Sequence, residues 1–239
     1  MATGVRVVVV REWEHGDSVA RWLTIPFHRV AATRTEIRAT SEVRREVAIS
    51  AAGAAWLVVT SARSVEPLGD ARDLVAPATR LAAVGEVTAS ALRDAGWSPD
   101  VVGTSGALSL LDVLTPSPVL LVGAEQMRPE LSDALERRGV EVRRVTLYRT
   151  VPRALSDEER QLLANAEVVL VGAPSTWRVV APDVAPGAVV VVPGETTRRD
   201  VLKDHDDVLV GWGEEWPSAY TILTKRFHDI GPGDVTPNG

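Results

Sequence analysis

Ala83-Val84-Gly85-Glu86-Val87-Thr88 closes one apolar run of the chain, and Val191-Val192-Pro193-Gly194-Glu195-Thr196-Thr197 closes another. Each reads as a buried β-strand, a Gly-Glu-x-Thr turn and a helix: Ala89-Ser90-Ala91-Leu92-Arg93 in the first case, Arg198-Arg199-Asp200-Val201-Leu202 in the second. A strand that stops at Gly and hands over to a Thr-opened helix leaves several backbone N–H groups unpaired and pointing one way, a ready site for an anion. Its recurrence predicts two similar α/β units facing one acidic ligand.

Outward from these turns, unbroken Val/Ala/Leu runs recur at Val5–Val10, Trp56–Thr60, Leu81–Val84, Val119–Val122, Val168–Val171, Ala188–Val192 and Val208–Val210. Runs without alternation mark strands buried on both faces, as in a parallel sheet covered by helices. Helical stretches lie between them. In Pro129–Arg138 a proline opens the helix, basic residues fill its last turn and Gly139 follows, the expected asymmetry of start and stop. Two segments differ. Arg34–Thr40 and Arg143–Pro152 are extended, alternating and polar, and predict exposed or half-buried ribbon. The order of elements gives an α/β fold with doubly wound parallel sheets. One domain is expected from both chain ends, 1–35 and 152–239, and the other from the middle, 42–147. Connectors lie at about 36–41 and 146–151. Ligands are expected at the carboxyl ends of the strands.

Composition narrows the classes. The chain has 239 residues, 45% of them hydrophobic and 24% charged, enough for two cores. A net charge of -6 with no Lys/Arg block argues against nucleic acid. The absence of cysteine excludes disulfides, thiol catalysis and Cys-ligated metal, and fits a reducing cytoplasm. No signal peptide or membrane-length apolar run is visible, so a cytoplasmic location without membrane contact is expected. His15, His28, His205 and His228 are scattered without metal-ligand spacing, and no G-x-G-x-x-G or Walker motif follows a strand. Among the tryptophans, Trp56, Trp97 and Trp177 are expected to pack, while Trp212 and Trp216 fall in a Gly/Glu-rich segment and are candidates to edge the cleft. The Gly/Pro-rich tail, Gly231–Gly239, is expected to be disordered.

Taken together and in order, a set of segments resembles the uroporphyrinogen-III synthases. They are Trp56-Leu57-Val58-Val59-Thr60-Ser61, Ala83–Leu92, Ala95-Gly96-Trp97-Ser98-Pro99-Asp100, Val119-Leu120-Leu121-Val122-Gly123, Gly139-Val140-Glu141-Val142, Leu147-Tyr148-Arg149-Thr150-Val151-Pro152, Gly172-Ala173-Pro174-Ser175, Gly194-Glu195-Thr196-Thr197 and Pro217-Ser218. Each motif is weak alone; their order and spacing are specific. The resemblance implies two flavodoxin-like doubly wound domains joined by a two-stranded extended connector. It implies cyclisation of hydroxymethylbilane, a linear tetrapyrrole, to uroporphyrinogen III, with water lost and ring D inverted through a spiro intermediate. It also implies no cofactor and no metal, a monomer, and a substrate handed over by the synthase that makes it.

Several residues then become candidates. Thr60 and Ser61 end a strand, and their hydroxyls and amides can meet a carboxylate or cap a helix. Thr88 and Thr197, with Gly85 and Gly194, occupy matching positions of the repeated turn, and the resemblance favours binding there. Glu86 and Glu195 are expected to face solvent and complement the helix dipole. Tyr148, on the second connector, either donates a proton to the departing hydroxyl or packs as an aromatic on a ribbon. Arg11, placed after the first strand, either pairs with a propionate or is a surface arginine. The loop Gly172-Ala173-Pro174-Ser175 departs from the family's Thr-Ser pair and retains one hydroxyl, Ser175, near the helix start. Arg63 stands where a small or amide residue is usual. These departures sustain a rival reading, a non-catalytic two-lobed module that binds an acidic small molecule or tetrapyrrole.

Overall fold

The computed structural model describes residues 5–12, 19, 21–23, 25–227 and 230. His15, His228 and the 231–239 tail lie outside them. The chain divides into two compact units, the first formed by Met1–Thr35 with Val151–Gly239, the second by Glu36–Thr150.

Unit 1 contains β1 (Val7–Glu12) and β2 (His28–Ile37), which runs past its boundary. The second unit follows with α1 (Ser41–Ala52), β3 (Trp56–Val59), α2 (Val65–Leu68), β4 (Arg80–Ala83), α3 (Glu86–Asp94), β5 (Val101–Val102), α4 (Leu111–Leu114), β6 (Val119–Ala124), α5 (Glu130–Arg137) and β7 (Val142–Pro152). The chain then returns to unit 1 with α6 (Asp157–Ala164), β8 (Val168–Val171), α7 (Pro174–Val180), β9 (Val189–Val192), α8 (Glu195–Val201), β10 (Val208–Val210) and α9 (Trp216–Arg226).

In unit 1 the strand order is β2-β1-β8-β9-β10, all neighbours parallel. In unit 2 it is β7-β6-β3-β4-β5, again all parallel. Laid strand on strand, β8-β9-β10-β1-β2 matches β3-β4-β5-β6-β7. The two units are therefore one sheet topology entered at different points, related by circular permutation.

The unbroken apolar runs explain the parallel sheets. In β1, Val8 and Val10 join a core with Leu163, Trp177 and Val201, while Val7 and Val9 face Leu23, Trp216 and Leu223. In β3, Leu57 and Val59 pack with Val47, Leu68 and Leu92, and Trp56 and Val58 with Leu110, Leu114 and Leu135. Successive side chains point to opposite faces, so a strand sandwiched between helix layers must be apolar throughout.

The polar, alternating segments are strands of these sheets. β2 is parallel to β1 and β7 to β6. Ribbon was expected over Arg34–Thr40, but the strand stops at Ile37 because Thr40 caps α1, accepting from the Val43 N–H at 3.4 Å. At 143–152 the expected exposure fails at Val145, Leu147 and Tyr148, which are buried. A bulge explains the last two: Gly123 pairs with Thr146 but Ala124 with Tyr148, so Leu147 is an extra residue that upsets the alternation. Unit 1 repeats the device, with Arg11 opposite Ala31 and Glu12 opposite Thr33. Ala32 and Thr33 are accordingly both buried. The strand β5, only two residues long, was not among the apolar runs.

One polar cluster ties α6 to β2. Ser156 Oγ accepts from the Glu159 N–H at 3.2 Å and Glu159 accepts from the Ser156 N–H at 2.9 Å, a capping box. The Arg153 guanidinium pairs with Glu159 and donates through Nε to the Ala31 carbonyl at 2.5 Å. Burial alone would raise the Glu159 carboxyl, but the Arg153 and Ser156 hydrogen bonds and the Arg153 charge outweigh it and hold it below the usual carboxylate range.

Candidate functional site

The repeated turns have the same geometry in both units. Gly85 precedes α3 with φ −176° and ψ 171°, and Gly194 precedes α8 with φ 169° and ψ −179°. Both are extended, so neither glycine is required by its backbone angles. A Cβ at either would meet no atom within 4 Å, so the space beside each turn is open. Neither helix start is capped by a side chain. The first-turn N–H groups of these two helices therefore have no side-chain acceptor at the cap position. Glu86 and Glu195 are exposed and bound to their own helices, Glu86 to Arg93 at 2.6 Å and Glu195 to Arg198 at 3.5 Å. Thr88 and Thr197 occupy the third helical position and are each 5% exposed.

In unit 2, Thr60 follows β3. Its N–H and its hydroxyl both donate to the Val122 carbonyl, at 3.1 and 3.0 Å. The hydroxyl proton is therefore committed to the sheet, and Thr60 would have to release Val122 to donate to a carboxylate. Capping belongs to Ser61, whose Oγ accepts from the Arg63 N–H at 3.3 Å and opens the turn Ala62–Ser64. Tyr148 is 2% exposed and belongs to the core with Leu57, Val59 and Leu147. The Arg63 guanidinium lies over its ring, 5.1 Å from the centroid. Sequence reasoning flagged Arg63 only as a departure; its pairing with an aromatic 85 positions along the chain has no local signal.

In unit 1, Arg11 lies within β1, not after it, because the strand runs on to Glu12. Its guanidinium is lowered by burial, with the Glu12 charge opposing, and stands 5.8 Å from the centroid of the Trp212 ring. Ser175, the hydroxyl expected at the α7 start, is exposed. It is not the only one there. Thr176 is 4% exposed, and its Oγ1 accepts from the Ala173 N–H at 3.3 Å and donates to the Ala173 carbonyl at 2.7 Å. The signal was present as a Thr three residues after the cap. Trp56, Trp97 and Trp177 are buried as expected; Trp216, a candidate for a cleft edge, is instead buried in a core with Leu23 and Leu223. His205 is a packed residue, its Nε2 2.7 Å from the Ala188 carbonyl and its ring edge-on to Trp177. No helix among the described residues is long and apolar enough to cross a membrane.

The class defined so far is an α/β protein with parallel sheets, in which the helices after β4 and β9 each start at a glycine without a side-chain cap. The family described as uroporphyrinogen-III synthase HemD matches residues 20–208, and the chain belongs to that family. Among solved structures, the chain is similar to uroporphyrinogen-III synthetase from Helicobacter pylori, at a TM-score of 0.67 and 16% identity over 93% of this chain and 100% of that one. It is also similar to a mutant uroporphyrinogen III synthase from the extremely thermophilic bacterium Thermus thermophilus, at a TM-score of 0.57 and 20% identity over 93% of this chain and 98% of that one. At these identities the two likenesses carry the fold. No curated protein sequence matches the chain.

Proposed function

We propose that this chain cyclises hydroxymethylbilane to uroporphyrinogen III, losing water and inverting ring D through a spiro intermediate, in the biosynthesis of porphyrins and heme. The observation that carries the reading is the recurrence of one open, uncapped turn at equivalent points of two permuted sheets in a chain of this family. A substrate rich in carboxylates needs anion sites without a strongly basic surface, and backbone N–H groups at Gly85 and Gly194 supply them in an acidic protein.

The substrate's own pyrrole nitrogen pushes out the hydroxyl, which leaves as water once protonated. The resulting azafulvene is attacked by the substituted carbon of ring D, and the spiro compound fragments and recloses. The protein's tasks are to assist the departure and to fix the geometry of attack. In this reading Tyr148 donates to the leaving hydroxyl, and Thr60, Ser61, Thr88, Ser175, Thr197 and Arg11 hold carboxylates. The finer architecture is two flavodoxin-like doubly wound domains with 36–41 and 146–151 as a two-stranded connector. The strand order of unit 1, 2-1-3-4-5 in its own chain order, supports the flavodoxin-like reading of that unit. We further propose a cytoplasmic monomer that receives its substrate from the enzyme that makes it.

The rival reading, a binding module without catalysis, rested on the Gly172-Ala173 loop. Thr176 adds a second hydroxyl at that helix start, but it is buried and bound to the Ala173 backbone. The test is to supply purified protein with hydroxymethylbilane generated in place, oxidise the products and separate the isomers. Unaided closure gives the type I isomer. Predominant type III supports the synthase, and type I alone from folded protein overturns it.

A further inference from the structure

The match of β8 to β3 and β1 to β6 sets residue 172 against residue 60, and residue 11 against residue 123, because Val171 pairs with Val10 as Val59 pairs with Val122. The side-chain volume is exchanged between the two positions. In unit 2 the first strand carries Thr60, whose Oγ1 would lie 2.0 Å from a Cβ at Gly123, so the second must be glycine. In unit 1 the first strand carries Gly172 and the second carries Arg11.

The room above Gly172 is taken by Trp212. A Cβ at 172 would lie 3.6 Å from its Cη2 and 3.8 Å from its Cζ2. A methyl would just touch the indole, whereas the outer atoms of a threonine, about 1.5 Å further out, would contend with it for the same space. Glycine at 172, where unit 2 has Thr60, and the presence of this indole are thus one feature. Trp22 supports the ring at 5.2 Å between centroids, tilted 58°, and Trp216, 3% exposed, backs Trp22 at 5.7 Å. Trp212 itself is half-buried. It stands at the carboxyl ends of β1 and β8, between which the strand order of unit 1 reverses, the crevice where open α/β sheets take ligands.

We propose that Trp212 is a substrate-binding residue: its half-buried indole gives a pyrrole ring of the linear tetrapyrrole an offset or edge contact, and the Arg11 guanidinium, which lies over the indole, takes that ring's carboxylate. An indole offers a pyrrole ring apolar area and favourable offset or edge contact. A guanidinium beside it takes a carboxylate through charge-assisted hydrogen bonds. Unit 1 therefore reads the ring and its acid side chain together, where unit 2 offers Thr60 and Ser61. This subsite rests on the cyclisation proposed above.

The test is steady-state kinetics with hydroxymethylbilane generated in place, on wild type, Trp212→Ala, Trp212→Phe and Gly172→Thr, with product isomers and Tm recorded for each. Trp212→Ala should raise KM about tenfold, the factor given by ~1.4 kcal/mol of lost contact, and leave kcat within about twofold. Trp212→Phe should restore most of the affinity. Gly172→Thr, which keeps every residue of the subsite but displaces the indole, should raise KM as well. An unchanged KM in Trp212→Ala overturns the proposal, as does a loss that Phe does not rescue and that follows Tm. Should Trp212→Ala not fold, Gly172→Thr decides, and an unchanged KM there overturns the proposal. If wild type gives only type I, the cyclisation itself fails; if wild type gives type III and KM does not move in the variants, only the subsite fails.

Discussion

Tyr148 and Thr33 occupy the same point of the two sheets, each directly after the extra residue of a bulge. At one the chain buries a phenol ring beneath Arg63; at the other it buries a hydroxyl, Thr33 Oγ1, that has no hydrogen-bond partner among the described residues. A phenol hydroxyl is a hydrogen-bond donor and can assist a leaving hydroxyl. Tyr148→Phe should therefore lower kcat by about a hundredfold, the lower end of what a positioned acid contributes, with Tm and KM little changed. An unaltered kcat would leave Tyr148 as a core aromatic. Thr33→Val keeps the shape and removes the unpaired hydroxyl, so urea unfolding should show a gain of about 1 kcal/mol. A loss of stability would mean that the hydroxyl is satisfied in the folded protein.

At the scale of elements, Thr60 and Gly123 are coupled. Gly123→Ala forces its Cβ onto Thr60 Oγ1, 2.0 Å away, and overpacking of this kind costs ~1–3 kcal/mol. Thr60→Ala alone gives up the Val122 hydrogen bond, worth about 1 kcal/mol. The double variant should be more stable than the sum of the two losses, because the clash disappears with the hydroxyl; additive losses in a denaturation cycle would refute the coupling. The α6 cap gives a pH prediction. Glu159 has a depressed carboxyl in the folded state, so the unfolded chain binds its proton first as pH falls. Its stabilisation is whole above the unfolded value of about 4.3 and drains away as pH drops toward the lower folded value. Glu159→Gln should be less stable than wild type at neutral pH, with the gap closing over that acid range. A gap that does not narrow would assign the loss to something other than the charge.

The whole molecule was legible where one strand decides its own environment. Runs such as Val189–Val192 announce a doubly covered parallel strand without help from the rest of the chain, and the twin Gly-Glu-x-Thr turns announce a repeat. What escaped depends on partners distant in sequence. The burial of Tyr148 follows from a bulge set by Gly123 and Ala124, and the meaning of Gly172 from an indole at Trp212. No local pattern carries either pairing, so Gly172 read as a depleted site until its neighbour was placed. The permutation itself yields a final prediction. Each unit builds its cores from its own residues, and unit 2 is one continuous segment, Glu36–Thr150. Expressed alone, that segment has all five strands and both helix layers, and should give a near-UV circular dichroism signal and a single cooperative urea transition. Unit 1 needs both chain ends. Arg153 N–H bonds the Ala32 carbonyl at 2.9 Å, so residues 1–35 and 151–239 joined by a short Gly-Ser linker should fold too. A segment 36–150 with helical signal but no near-UV signal or cooperative transition would show that unit 2 does not specify its packing by itself.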